Sequence, residues 1–170
     1  TDFGPVDELQ LDLTHYLLRQ YGHASYEQIL SGPGLVRLYA FLRARGATAE
    51  SATVAQAMQA GGPATAISDA ALHQGDPLAQ QAVDLFVHIY GAQAGNLALT
   101  AGATGGIDIA GGIAPKIVSV LGENFLSAFR NKGAMSHYVS AIPVRIITNT
   151  EVGLYGAALV AARLIGADPA

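Results

Sequence analysis

Gly105-Gly106-Ile107-Asp108-Ile109-Ala110-Gly111-Gly112-Ile113-Ala114-Pro115 is the stretch on which the fold class turns. Ile107 to Ala110 is short, rich in β-branched residues and bounded by glycines, which predicts a strand. The carboxyl end of that strand runs into two glycines and then a helix start. Ligands of open α/β sheets bind at such ends. Without Cβ atoms a planar or phosphorylated ligand can approach the backbone, and the N–H groups of the helix start favour anions. The stretch is neither Gly-x-Gly-x-x-Gly nor a Walker A loop, since no Lys-Ser or Lys-Thr follows. Spacing alone leaves a tight strand-to-helix turn without any ligand equally open.

Downstream, Pro143-Val144-Arg145-Ile146-Ile147-Thr148 has the same strand character. Helical spacing over Lys116 to Leu121 and Glu123 to Asn131 lies between, so a β-α-β crossover with parallel strands is predicted. A last helix, Val152 to Ile165, carries Gly153-x-x-Gly156-Ala157-Ala158, small side chains that would let it lie close against a sheet. Upstream the pattern is helical. Asp7 to Tyr21 is an amphipathic helix stopped by Gly22, and Ser25-x-x-Gln28 has the form of a capping box. Ser31-Gly32-Pro33-Gly34 breaks the chain before helical spacing resumes from Leu35 to Arg45. Thr53 to Ala60 and Thr65 to Gln74 are two further helices. Asp76-Pro77 is an N-cap followed by Pro at the first helical position, opening the longest helix, to about Thr100. Apolar residues on most of its sides, from Leu78 to Leu97 and Leu99, predict burial between layers.

Two strands among so many helices are little sheet for an α/β domain. The remaining strands are therefore expected upstream of Thr1, which is not Met, and the chain is expected to be a piece of something longer.

The 170 residues amount to one domain's worth of chain. Hydrophobic residues make up 51%, with 31 alanines, so the core rests on close helix contacts more than on bulky side chains. Nine Lys and Arg against 13 Asp and Glu give a net charge of −4. The cations are scattered, which excludes the clustered basic surface that nucleic acid or an anionic membrane requires. Zero cysteines removes disulfide frameworks, thiolate zinc sites and thiol catalysis. The uncharged run from Leu85 to Ile107 contains His88, Gln93, Asn96 and five glycines, a poor membrane span. The start shows no signal peptide, and a cytoplasmic location is expected.

Few residues point to chemistry on their own. Glu27 is a carboxylate beside the bend at Ser31-Gly32-Pro33-Gly34, readable as an exposed helix acid or as a ligand group. The histidines at 15, 23, 73, 88 and 137 show no His-x-x-x-His pair, so no metal site is expected. His88 reads as a buried, satisfied imidazole. No Gly-x-Ser-x-Gly and no acid/base pair of carboxylates stand out. Arg37, Arg43 and Arg45 read as the solvated face of one helix.

Five strings occur in order: Thr1-Asp2-Phe3-Gly4-Pro5, Ser25-Tyr26-Glu27-Gln28-Ile29-Leu30-Ser31-Gly32-Pro33-Gly34-Leu35, Gly95-Asn96-Leu97-Ala98-Leu99, Ile109-Ala110-Gly111-Gly112-Ile113-Ala114-Pro115 and Gly153-Leu154-Tyr155-Gly156-Ala157-Ala158. Together they resemble the C-terminal half of bacterial glucokinase over nearly the whole chain. The resemblance implies an α/β fold, the C-terminal larger lobe of the actin-like ATPase (ribonuclease H-like) fold, here mostly helical with about two short parallel strands. Residues 1–170 would be that lobe, truncated at its N-terminal side, with the N-terminal lobe absent.

The implied reaction is ATP-dependent, Mg²⁺-assisted phosphorylation of D-glucose to glucose 6-phosphate, with sugar and nucleotide meeting in a cleft. Glu27 matches a sugar-binding Glu of the family, and Gly111 and Gly112 match the motif lining the adenosine pocket. The final helix matches an element that couples lobe closure. The family's Asp general base, its phosphate-binding loops and a sugar-binding Glu-Gly-Gly-His segment match nothing in the chain, so no catalytic residue is assigned and the chain alone is expected to be inactive. Asp108 departs from the family, which usually has an apolar or aromatic residue there. Alternation sets Asp108 opposite Ile107 and Ile109, and it reads as partner-bound or partly solvated. A homodimer is a further expectation. The alternative is a non-catalytic sugar-sensing or oligomerisation module derived from the same fold.

Overall fold

Serine and aspartate caps set where most of the early helices begin. In the computed structural model, which describes residues 1–166, Asp7 caps α1 (Glu8–Tyr21) by accepting from the Gln10 backbone N–H at 2.8 Å, and Gly22 ends it with φ 70°. The Gln10 side chain is buried and closes the same turn, donating to Asp7 and accepting from the Val6 N–H. Ser25 and Gln28 form the expected capping box over α2 (Tyr26–Ile29).

Ser31 opens α3 (Gly32–Arg45), so Gly32-Pro33-Gly34 lies inside the helix and does not break the chain ahead of it. The reason is local: Pro has no N–H to lose in a first turn, and the Ser31 hydroxyl takes the Gly34 N–H at 3.1 Å. A similar shift applies at Pro63, which starts α5 (Pro63–Asp69) after α4 (Ala52–Ala60). A π-helical turn, Ala70–Gln74, continues it. Buried Asp76 then caps α6 (Pro77–Ala101) through the Ala79 N–H at 2.8 Å.

The chain divides into two units, residues 1–91 and residues 92 onward, with α6 contributing to both. In the first unit α3 packs on α1, α2 and α5. Its core includes Leu13, Leu17, Ile29, Leu38, Tyr39, Ile67 and Leu78. Burial of each such aliphatic or aromatic side chain contributes about 1.5–3 kcal/mol. Along α6, Val83, Leu85, Phe86 and Ile89 are buried as expected, but Leu97 is 54% exposed.

The second unit holds the sheet. β1 (Ile107–Ile109) and β2 (Val144–Ile146) are adjacent and parallel, in the register Ile107↔Val144, Asp108↔Arg145, Ile109↔Ile146. Both are shorter than the sequence predicts: each has a single neighbour among the described residues, and the pairing covers three positions. Between them run a 3₁₀ turn (Ala114–Ile117), α7 (Val118–Arg130), a second 3₁₀ turn (Gly133–Met135) and α8 (Ser136–Ser140). Gly122 kinks α7 with φ 17° and ψ −140°, at the residue where the helical spacing also splits. Leu121, Phe125 and Phe129 are buried along α7, and Phe125 stacks on Phe129.

The last helix, α9 (Val152–Leu164), departs from expectation. It buries none of its residues, and nothing stands within 4 Å of a β-carbon built on Gly153 or Gly156. On one face of the two-stranded sheet Ile109, Val144 and Ile146 line an apolar cavity together with α7, and Asp108 and Arg145 pair with each other across the strands. The final helix expected from the sequence is formed, but its close packing against the sheet is not seen among the described residues.

Candidate functional site

Glu27 sits on a turn secured from both sides. Ahead of it, Ser25 accepts from the Gln28 N–H, and Gln28 Oε1 accepts from the Ser25 N–H at 2.9 Å. Behind it, the Ser31 hydroxyl donates to the Glu27 carbonyl at 2.9 Å. Gly34 closes the arrangement, since a β-carbon there would stand 2.0 Å from the Ile29 carbonyl oxygen. Only glycine lets α3 approach α2 this closely. Arg37 donates to the Gln28 carbonyl at 3.0 Å and lies over the Tyr21 ring. Held this way, the Glu27 carboxylate is exposed and makes no hydrogen bond or ion pair among the described residues.

Sequence reasoning missed a neighbour of this turn. Thr1 and Phe3 run beside it: the Thr1 carbonyl accepts from the Tyr26 N–H at 3.2 Å, and the Phe3 N–H donates to Ala24. The Phe3 ring meets Tyr26 edge-on at 5.4 Å, and Asp2 bridges to Ser25 and lies 3.3 Å from His23. The two separate strings at residues 1–5 and 25–35 are thus one place in the fold. The signal was their apolar-aromatic content near polar caps, which periodicity does not detect.

The Gly111–Gly112 turn belongs to the second unit. Gly111 has φ 108°, a conformation that L side chains rarely adopt, and nothing lies within 4 Å of a β-carbon at either glycine. Both residues are exposed at the carboxyl end of β1 and lead into the 3₁₀ turn at Ala114. The open space leaves their backbone reachable by a flat or phosphorylated molecule. Glu27 and the glycine turn lie in different units.

Asp108 is bound. Arg145, opposite it on β2, donates from Nε at 2.6 Å and from Nη2 at 3.1 Å. These hydrogen bonds hold the Asp108 carboxyl below its ordinary pKa. The arginine trio of α3 is not simply solvated. Arg43 pairs with Glu50 at 3.0 Å, Arg45 pairs with Asp12, and Arg37 is engaged as described above. His88 is half-buried and partnered. Among the described residues no group of three or more His, Asp or Glu can hold a metal ion. No helix among them is long and apolar enough to cross a membrane.

Comparison with known proteins shows the family. The Glucokinase family profile matches residues 1–164. The chain is 46% identical to a glucokinase of Nostoc sp. over 177 residues, covering 96% of this chain and 52% of that protein. It is 41% identical to a glucokinase of Synechocystis sp., covering 95% of this chain and 50% of that protein. Among solved structures, a glucokinase from an Antarctic psychrotroph superposes with a TM-score of 0.77 at 33% identity, covering 94% of this chain and 47% of that one. The chain spans about half the length of the curated relatives it matches.

Proposed function

Because this chain belongs to the glucokinase family, we propose that it supplies Glu27 and the Gly111–Gly112 turn to an enzyme that transfers the γ-phosphoryl of ATP to the 6-hydroxyl of D-glucose. The observation that carries this reading is the Glu27 carboxylate, exposed and unpaired on a turn that two serine caps and Gly34 hold still. A carboxylate held so accepts hydrogen bonds from sugar hydroxyls, and a sugar lacking the hydroxyl leaves it unsatisfied, which gives specificity. The glycine turn offers bare backbone to the adenosine end of ATP. Phosphoryl transfer depends mainly on positioning and charge neutralisation.

In this reading no residue of the chain is the general base, so the 170-residue chain binds but does not turn over. Among the described residues no group of three or more His, Asp or Glu could hold a metal ion; Mg²⁺ would be carried largely by the phosphates of ATP, and no step assigned to this chain passes through it. The exposed Leu154, Leu159 and Leu164 of α9 support a homodimer as a second part of the reading. The scattered cations speak against nucleic acid as a partner, and a cytoplasmic site of action is proposed.

Titration calorimetry of the purified chain with glucose and with ATP tests the proposal. Binding of both, with no glucose 6-phosphate formed in a coupled assay, is expected. Turnover by the chain alone sinks the assignment of the base elsewhere, and absence of glucose binding sinks the role of Glu27. A chain that binds glucose but not ATP fits the sugar-sensing alternative instead.

A further inference from the structure

We propose that Arg145 is a positioning residue for the Gly111–Gly112 turn, clasping β1 from the facing strand so that the turn leaves the sheet at a fixed point. The inference rests on the nucleotide reading of that turn. β1 is only three residues long and pairs with β2 alone among the described residues. At its ends the ladder has two bonds, from the Ile107 N–H to Pro143 at 2.9 Å and from the Ile147 N–H to Ile109 at 2.8 Å. A slip of one residue would turn buried Ile109 out and move the turn by a residue's length.

Arg145 opposes that slip at two places. Its guanidinium grips Asp108, its register partner, with a two-pronged contact. Such a fork fixes direction as well as distance, which a lysine cannot do. Nη1 also reaches the Gly105 carbonyl at 3.4 Å, ahead of the strand. Gly106 makes room for it: a β-carbon there would lie 2.8 Å and 2.9 Å from Nη2 and Nη1 and 3.0 Å from the Pro143 carbonyl oxygen. Gly106 also has φ 126°. The glycine before the strand is thus the seat of the arginine, while the glycines after it stay uncovered. The clasp begins at Gly105 and ends at Asp108, three positions before Gly111.

The test uses the whole chain in four forms besides the wild type: R145A, R145K, D108N and the charge-swapped D108R/R145D. Amide hydrogen exchange is read at residues 109–113 and over α1–α3, and Mg-ATP binding is read by calorimetry. R145A and D108N are expected to speed exchange at 109–113 by about tenfold with α1–α3 unchanged, and to weaken ATP binding by about fivefold. R145K is expected to behave like R145A, and the swap to recover most of the loss. Unchanged exchange at 109–113 in both single variants overturns the inference, as does full function of R145K or a uniform loss of protection across α1–α3. Wild-type chain that binds no ATP overturns the nucleotide reading and the inference with it. ATP binding identical in wild type and R145A overturns the inference alone.

Discussion

Lys132 reaches back from the end of α7 to the carbonyl of Ala92 in α6, where its Nζ donates a hydrogen bond of 2.8 Å. Its stem crosses α6 at Gly95, where a β-carbon would stand 2.5 Å from Cε and 2.3 Å from the Phe129 carbonyl oxygen. Burial pushes the Lys132 ammonium below its ordinary pKa, yet the Ala92 carbonyl gives it a partner.

Gly95→Ala is therefore expected to destabilise the chain by about 1–3 kcal/mol, since backbone as well as a side chain must move. Thermal unfolding followed by circular dichroism reads this. An unchanged midpoint would mean that α6 and α7 are not in contact at Gly95.

Tyr39 is fully buried and its hydroxyl makes no hydrogen bond. Burial, then the charges of Glu50 and Asp76, raise its pKa to about 12. The raised value favours the protonated phenol in the folded state. Its contribution to stability is complete below the ordinary value near 10 and is lost as pH rises toward about 12. Ultraviolet titration of the wild type is expected to show a late tyrosine that Tyr39→Phe removes. The same variant is expected to be neutral or up to about 1 kcal/mol more stable, because an unsatisfied buried hydroxyl is deleted.

Two glycines of the family strings separate packing from binding. At Gly34 a side chain collides with the Ile29 carbonyl, whereas at Gly112 it meets nothing. Gly34→Ala is expected to lower stability by about 2 kcal/mol or more. Gly112→Val is expected to leave the melting temperature within a degree or two and to abolish ATP binding. Retained ATP binding in Gly112→Val would remove the turn from the nucleotide site.

Glu27→Gln preserves shape and removes the charge. The carboxylate has no internal partner, so stability is expected to change by less than about 0.5 kcal/mol. Glucose binding is expected to weaken about tenfold or more, as expected when a charged hydrogen-bond acceptor is lost. Calorimetry with glucose, alongside a melting curve, checks both halves.

Much of this arrangement is legible in single residues. Ser25 with Gln28, Asp76 with Pro77, and Gly22 each fix a helix end through bonds to residues no more than a turn away. The same locality makes the short β-branched segments at Ile107 and Val144 readable as strands. Ser31-Gly32-Pro33-Gly34 misleads because a chain breaker and a helix opener share the same residues. The hydroxyl of Ser31 decides between them.

By itself, then, the sequence determined the helix caps, the parallel pair of strands and the family, all of which depend on neighbours along the chain or on ordered strings. Tertiary structure alone decided that Thr1 borders the Glu27 turn, that Arg145 is the partner of Asp108, and that α9 buries nothing. The physical reason is separation: Asp108 and Arg145 are 37 residues apart, and no periodicity of 2 or 3.6 carries information over that distance. Only the register of two short strands brings a lone acid and a lone base face to face.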